Sequence, residues 1–314
     1  MGCFLTVIIP VYNDADNILR CLDSLFNQSI RNFEIIVVND ASTDRTKRVL
    51  EEYQQTHYFQ IINLDKNSGA GYCRNVGIQL ARTPYVTFVD SDDWIDISTY
   101  EKCFRNIGSN PDVVVYGLIY DYVEQNVQDK KYQYLKTYTL SGDFALNIYA
   151  HTIPNEIRIT PIVNNKIYSK CFLEKNNLLF HPSLRYQEDD AFTFEVLARA
   201  ENVVIVSDCN YHYCQRNNSM IHCVSDFAID NFIEAYLALK ENLESAKLFD
   251  KYKVAFYLKL KGSAMGVLKR IIDYDLDVED RNRHIYLLLT QLLKHFDSTA
   301  LLKTLNFQII RGIL

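Results

Sequence analysis

The first third of the chain alternates short apolar runs with amphipathic stretches. Leu5 to Ile9, Phe33 to Val38, Phe59 to Leu64 and Tyr85 to Val89 are continuous apolar runs bounded by polar turns, the pattern of strands buried on both faces. Between them the apolar residues recur at helical spacing: Ile18, Leu19, Leu22, Leu25 and Phe26 in one segment, Val49, Leu50 and Tyr53 in the next, and a third segment running to about Ala81. Asp16 or Asn17 is placed to cap the first helix, and Ser42-Thr43-Asp44 the second. Strands and helices alternating at such short intervals predict a mostly parallel sheet with helices on both faces. Ligands bind such sheets beyond the carboxyl ends of the strands. Asp14, Asp40, Gly69 and Asp92 all fall at those ends.

The rhythm changes after Asp93. A helix is expected near Ile95, a strand over Val113 to Tyr120, and a hairpin or insertion in the polar, aromatic stretch from Asp121 to Tyr138. Ser141-Gly142-Asp143 caps a further helix. Ile162 to Ile167 leads into a short helix near Lys170, and a helix opens at Glu188-Asp189-Asp190. Val203 to Val206 and Tyr211 to Tyr213 read as two more strands. From Asp226 the pattern is helical to the end. The expected organisation is therefore an α/β unit over 1–225, in halves 1–110 and 111–225, followed by an all-helical region over 226–314. The helical segment Val254 to Ile272 interleaves Lys259, Lys261, Lys269 and Arg270 with apolar residues. Such a face suits a membrane surface or a second copy of the chain, although packing on its own domain is the commoner use.

Composition narrows the partners. A net charge of -6 with no extended basic block argues against nucleic-acid binding. The run that follows Met1-Gly2-Cys3 has no basic segment before it and stops at Pro10, so it reads as a strand and not as a leader or a membrane span. A cytoplasmic location is expected, with peripheral contact at the inner face of a membrane as an option. The eight cysteines are then expected as thiols. Cys209, His212, Cys214, His222 and Cys223 are zinc-ligand types, but their spacing matches no paired-knuckle pattern.

Chemistry concentrates at Asp90-Ser91-Asp92-Asp93. Alternation along an extended chain puts Asp90 and Asp92 on one side, where two like charges call for a cation or a proton. Oxygen-only ligands suit Mg2+ or Mn2+, and a diphosphate can supply further oxygens. A solvated turn capping the next helix would use the same residues, and the local pattern does not separate the two.

The combination of Val7-Ile8-Ile9-Pro10-Val11-Tyr12-Asn13, Val37-Val38-Asn39-Asp40-Ala41-Ser42-Thr43-Asp44, Asn67-Ser68-Gly69, Arg74-Asn75-Val76-Gly77, Phe88-Val89-Asp90-Ser91-Asp92-Asp93-Trp94 and Glu188-Asp189-Asp190 resembles the family 2 glycosyltransferases. The match is dense over 4–95, thinner to about 225, and does not reach the helical end. The resemblance implies the GT-A fold, a nucleotide-sugar donor bound mainly by residues 1–110, a divalent cation (Mn2+ or Mg2+) and inversion at the anomeric carbon. It further implies a glycan or lipid-linked glycan acceptor of the kind used in bacterial surface-polysaccharide assembly. Pro10, Val11 and Asn13 would line the base and ribose pocket. Asp40 would accept a hydrogen bond from uracil, which favours UDP over GDP. Gly69 would let backbone approach the donor, and Arg74 would contact it. Asp90, with Ser91, would lie beside the ribose or metal-bound water, and Asp92 would hold the metal. Asp189 would be the general base, with Asp190 the competing choice. Arg216 and Ser219 would bind diphosphate, and His212 would add a metal ligand.

Other readings fit less well. Gly69-Ala70-Gly71-Tyr72-Cys73-Arg74 starts like a dinucleotide fingerprint but has Arg74 at the third glycine and follows the third strand. A nucleotidyltransferase would carry a glycine-rich loop near residues 10–17, which hold no glycine. A non-catalytic nucleotide-sugar-binding module would not need both the metal acid and the base acid. A protein-directed glycosyltransferase would share every one of these signals.

Overall fold

The computed structural model describes residues 3–105, 110–122, 130–215, 224–274 and 276–304. Its frame is a sheet of ten strands: β1 (Leu5–Val11), β2 (Phe33–Asn39), β3 (Gln60–Asn63), β4 (Tyr85–Phe88), β5 (Trp94–Ile95), β6 (Val113–Tyr122), β7 (Lys130–Tyr132), β8 (Tyr138–Leu140), β9 (Lys166–Ser169) and β10 (Val203–Gln215). The strands run in the order β3-β2-β1-β4-β9-β6-β10-β5, with β7 on β6 and β8 on β10. The four strands read from the amino-terminal rhythm are parallel throughout. Beyond them the sheet is mixed, because β9 runs antiparallel to both β4 and β6 while β10 is parallel to β6.

The amino-terminal helices are α1 (Ile18–Phe26), α2 (Thr46–Gln54) and α3 (Ala70–Leu80). Alternation along β1 explains their placement. Leu5, Val7, Ile9 and Val11 join one apolar cluster with Ile18, Leu22 and Leu25 of α1. Ile8 joins the cluster on the opposite face with Ile78 of α3. β1 runs through Pro10 instead of ending before it: β4 pairs β1 only over Leu5–Ile8, so the missing N–H of Pro10 breaks no ladder bond on that side.

α3 crosses β1 closely at Gly77, where a methyl group would lie 2.3 Å from Cγ2 of buried Ile8. Alanine is a better helix former than glycine by about 1 kcal/mol, yet here its Cβ has nowhere to go. Gly77→Ala is expected to lower stability by roughly 1–3 kcal/mol through overpacking. An unchanged or raised urea midpoint would contradict this contact.

Two local expectations change. Ser42 and Thr43 do not cap α2. They bind Asn13, whose side-chain oxygen accepts from the Thr43 amide at 2.8 Å and whose own amide donates to the Ser42 hydroxyl at 3.0 Å. Asp44 does serve the start of α2, accepting from the Thr46 amide at 2.8 Å. No helix begins at Ile95; residues 94–95 add as a short antiparallel strand to β10, and α4 (Thr99–Arg105) starts later.

The second half adds α5 (Gly142–Tyr149), α6 (Lys170–Lys175) and α7 (Glu188–Arg199), then α8 (Asp226–Ser245), α9 (Phe249–Asp273), α10 (Val278–His295) and α11 (Ser298–Thr304). The Ser141 hydroxyl caps α5 as expected, accepting from the Phe144 amide. Val203 to Val206 and Tyr211 to Tyr213 form one strand with a register shift between Ile205 and Asn210, and not two. The helical end does not stand apart: Phe232 of α8, Phe256 of α9 and Leu288 of α10 share one apolar core with Phe88, Tyr168 and Phe194. The basic residues of α9 are partly turned inward, Lys259 pairing with Asp190 at 3.0 Å. Among the described residues no helix is long and apolar enough to cross a membrane.

Candidate active site

The carboxyl ends of β1, β2 and β4 open onto a cavity of about 730 Å³, a size that suits a small-molecule ligand. Pro10, Val11, Asn13, Asp40, Arg74, Asp90, Ser91, Asp92 and Asp189 all line it. Residues from five separate stretches thus converge, as placement at strand ends predicts.

Arg74 organises the centre. It stands in the first half of α3 and is almost wholly buried. Its guanidinium donates to Asp90 at 2.9 Å, to Asp189 at 2.9 Å and to Glu188 at 3.3 Å, and it lies over the ring of Phe180. Burial alone would lower the pKa of Arg74, but Asp189, Asp90 and Glu188 overcome it and fix the positive charge. The acids of two distant stretches, 90 and 188–189, are held together by this one cation. Nε of Arg74 has no hydrogen-bond partner among the described residues.

Asp189 keeps 27% of its side-chain surface open to the cavity while sitting deep in the molecule. That depth pushes its carboxyl up to about 7, with Arg74 opposing and Glu188 and Asp90 adding. The proton affinity expected of a general base is therefore present, but burial leads, and Asp190 is not among its causes. Asp190 also borders the cavity, but its carboxylate is turned to the helices packed against α7. Its carboxylate accepts from Tyr149 of α5, from Tyr236 of α8 at 2.7 Å and from Ser263 of α9 at 2.9 Å, and it pairs with Lys259. Against its burial, Lys259 and the two tyrosines hold it below the ordinary carboxylate range. With every lone pair engaged it is an anchor for the helical end and not a base.

The acidic run at β4 divides similarly. Asp90 gives one oxygen to Arg74, and its other oxygen has no partner among the described residues. Asp92 lines the cavity, its backbone carbonyl accepting from Arg20. Asp93 is fully buried and pinned to β10, accepting from the Tyr211 hydroxyl at 2.5 Å and the Cys214 amide at 2.8 Å. Burial, then the charges of Asp92 and Asp90, raise its carboxyl well above the ordinary value. Ser91 donates to Asp14 at 2.6 Å.

Asp40 lines the cavity and has a structural task as well. Its two oxygens accept from the amides of Ser68 and Gly69 at 2.6 and 2.7 Å, which ties the loop before α3 to the end of β2. Gly69 does not line the cavity. It has φ +89°, and a Cβ there would overlap Arg185, which lines the wall and also binds Asn67.

His212 is not placed as a metal ligand. One ring nitrogen faces Asp121 at 3.0 Å and the other Asp96 at 3.1 Å, its ring stacks on Trp94, and it does not line the cavity. Cys209 and Cys214 do not share a centre with it either: the Cys209 sulfur lies 3.9 Å from that of Cys103, and that of Cys214 accepts from Arg20, while His222 and Cys223 lie outside the described residues. Among the described residues no group of three or more His, Cys, Asp or Glu side chains is arranged to hold an ion by itself. Arg216 and Ser219 lie outside the described residues.

Three features escaped the sequence reading. Lys166 is wholly buried, donating to the carbonyl of Thr160 at 2.9 Å, to that of Ile162 and to the Asn165 side chain at 3.0 Å. Burial brings its ammonium down to about 7, with Asp189 acting upward. It builds the Pro161-Ile162 wall, and a lysine inside an apolar run was a readable anomaly. Tyr186 and Arg270 also line the cavity, and Arg270 comes from α9, beyond the stretch that carries the motifs.

The model of "Glycosyl transferase family 2" matches residues 6–168. The glycosyltransferase EpsH of Bacillus subtilis (strain 168) is 28% identical over 263 residues, covering 79% of this chain and 72% of that protein. The poly(ribitol-phosphate) beta-N-acetylglucosaminyltransferase TarS of Staphylococcus aureus (strain Mu50) is 27% identical over 251 residues, 79% of this chain but 42% of TarS, so the chain spans less than half of that longer relative. The crystal structure of S. aureus TarS 1-349 in complex with UDP-GlcNAc superposes with a TM-score of 0.61 at 20% identity, over 93% of this chain and 89% of that one. With its motifs on a shared cavity, its sheet matched by that structure and the family model covering more than half its length, the chain belongs to glycosyl transferase family 2 and is a glycosyltransferase of GT-A fold.

Proposed function

We propose that the cavity binds a UDP-sugar with Mn2+ or Mg2+ and transfers the sugar, with inversion, to a hydroxyl of a glycan or lipid-linked glycan at the cytoplasmic side of the cell. The observation that carries this reading is Asp189: a carboxyl that titrates at about 7, held 2.9 Å from an arginine that also grips Asp90. TarS, a relative and structural neighbour, has been crystallised with UDP and with UDP-GlcNAc, which supports a UDP-linked donor.

Pro10, Val11 and Asn13 form the wall suited to base and ribose, with Asp40 bracing the adjoining loop. The acceptor hydroxyl loses its proton to the Asp189 carboxylate as its oxygen bonds to the anomeric carbon. The bond from that carbon to the diphosphate breaks, and UDP departs with the electron pair. Arg74 keeps Asp189 oriented and limits how far its proton affinity rises. The donor set fits a hard divalent cation: Asp92 and the oxygen of Asp90 that Arg74 does not engage would supply oxygen ligands on the cavity wall. That cation, when bound, stabilises charge on the leaving diphosphate.

A panel of UDP- and GDP-sugars with Mn2+, read by thermal shift and by nucleotide release, tests the reading. A true donor at a hundred times its Kd stabilises the fold by about 2.7 kcal/mol. Absence of both stabilisation and UDP release across the panel would sink it. Arg74→Met is expected to move the pH midpoint of kcat/KM upward from about 7, because Arg74 opposes the rise in Asp189. An unmoved midpoint would mean that Arg74 does not set the base.

A further inference from the structure

Arg270 is a cation whose surroundings the transfer reaction does not explain. It stands in the last turn of α9, lines the cavity, and lies with its guanidinium carbon 5.3 Å from the centre of the Tyr186 ring. Neighbouring cations of the same helix have carboxylate partners: Lys259 pairs with Asp190 and Lys269 with Asp273. Arg270 has none among the described residues, although acids are the commonest ionisable groups of this cavity. Its direction follows from the helix. Lys259, Ser263 and Arg270 are four and seven residues apart, which puts them along one face. The first two are tied to Asp190, so Arg270 is carried to the same end of α7 that presents Asp189. Tyr186 stands three residues before Asp189, in the loop that enters α7. The cation and the ring together form a shelf built from the stretch that carries the base and from α9, and not from the donor wall at residues 10–14. A flat ring with a planar forked cation over it suits a sugar face bearing an anionic substituent.

We propose that Tyr186 and Arg270 form the acceptor subsite, and that the sugar seated there carries a phosphate or carboxylate group. This rests on the reading of the cavity as a glycosyl-transfer site. The helical end then has a role in substrate choice that the motif-bearing domain alone does not supply.

The test uses the full chain with Mn2+ and the UDP-sugar of largest thermal shift, following donor hydrolysis. Glucose 6-phosphate, glucuronate and glucose are compared as inhibitors. In the unaltered protein at least one charged sugar should inhibit at a roughly ten-fold lower concentration than glucose, as a hydrogen bond to a charged group warrants, and without competing against the donor. The phosphate and carboxylate arms tell the two sources of charge apart. In Arg270→Gln the ratio of charged to neutral inhibition constants should fall to near one, and in Arg270→Lys it should be partly kept. Reading a ratio within each protein cancels any general loss of activity. Equal inhibition by charged and neutral sugars, competition with the donor, or a ratio unaltered in Arg270→Gln each overturns the subsite. Absence of both stabilisation by any UDP-sugar and donor hydrolysis in the unaltered protein would instead overturn the UDP-sugar reading of the cavity beneath it.

Discussion

Asp189→Asn is expected to reduce sugar transfer by a factor of about a thousand, within the range that general-base catalysis contributes. Asparagine keeps the size of the side chain and a contact for Arg74 but cannot take the proton. Donor binding should survive, since Pro10, Val11, Asn13, Asp90 and Asp92 are untouched. The check is kcat for transfer beside the thermal shift given by UDP and Mn2+; transfer within ten-fold of the parent would remove Asp189 from the mechanism. The pH dependence carries a definite sign. The folded carboxyl titrates at about 7 while an unfolded Asp titrates near 3.9. Between these values the folded state binds the extra proton, so stability falls as pH rises from about 4 to about 7 and levels off above. Asn does not titrate, so the stability of the parent relative to Asp189→Asn should decline across that window. Activity runs the opposite way: kcat/KM of the parent should rise with pH and reach its plateau above about 7, because the base must be ionised to accept.

Asp190→Asn is expected to cost about 3–5 kcal/mol of stability, the range for breaking a buried ion pair from one side. Lys259 would be left as an ammonium in a mostly buried site, and the Tyr149, Tyr236 and Ser263 hydroxyls would lose an ionised acceptor. The double variant Asp190→Asn with Lys259→Met should recover part of the loss, since removing the stranded charge is often neutral. Urea unfolding of the three proteins settles it. A loss under 1 kcal/mol in the single variant, or no recovery in the double, would show that α8 and α9 do not depend on this pair. Activity should fall along with stability, because Asp190 ties the first turn of α7, which carries Asp189, to α5, α8 and α9.

The neighbouring acids 189 and 190 show where sequence reading stops. Both are visible as candidate bases at the start of a helix. Adjacent helix positions point about 100° apart, so one carboxylate meets the cavity and the other meets α5, α8 and α9. Those last two helices begin 36 and 59 residues farther on, and no local pattern tells which acid they will claim. His212 failed for a related reason. The family resemblance implied metal binding, but β10 carries it between Asp96 and Asp121, which face both nitrogens.

The sequence by itself determined the parallel sheet edge, the convergence of Asp14, Asp40 and Asp92 there, and the family, because strand and helix periodicity are local properties and the motifs sit at strand ends. The tertiary structure decided how those residues are employed. It made Arg74 the hub of three carboxylates, gave Asp40 to the backbone of the neighbouring loop, buried Asp93 against Tyr211, and brought Arg270 to the cavity from the far end of the chain. The physical reason is that a side chain's charge state and partners depend on what is packed against it, and most of these partners are supplied by segments remote in sequence.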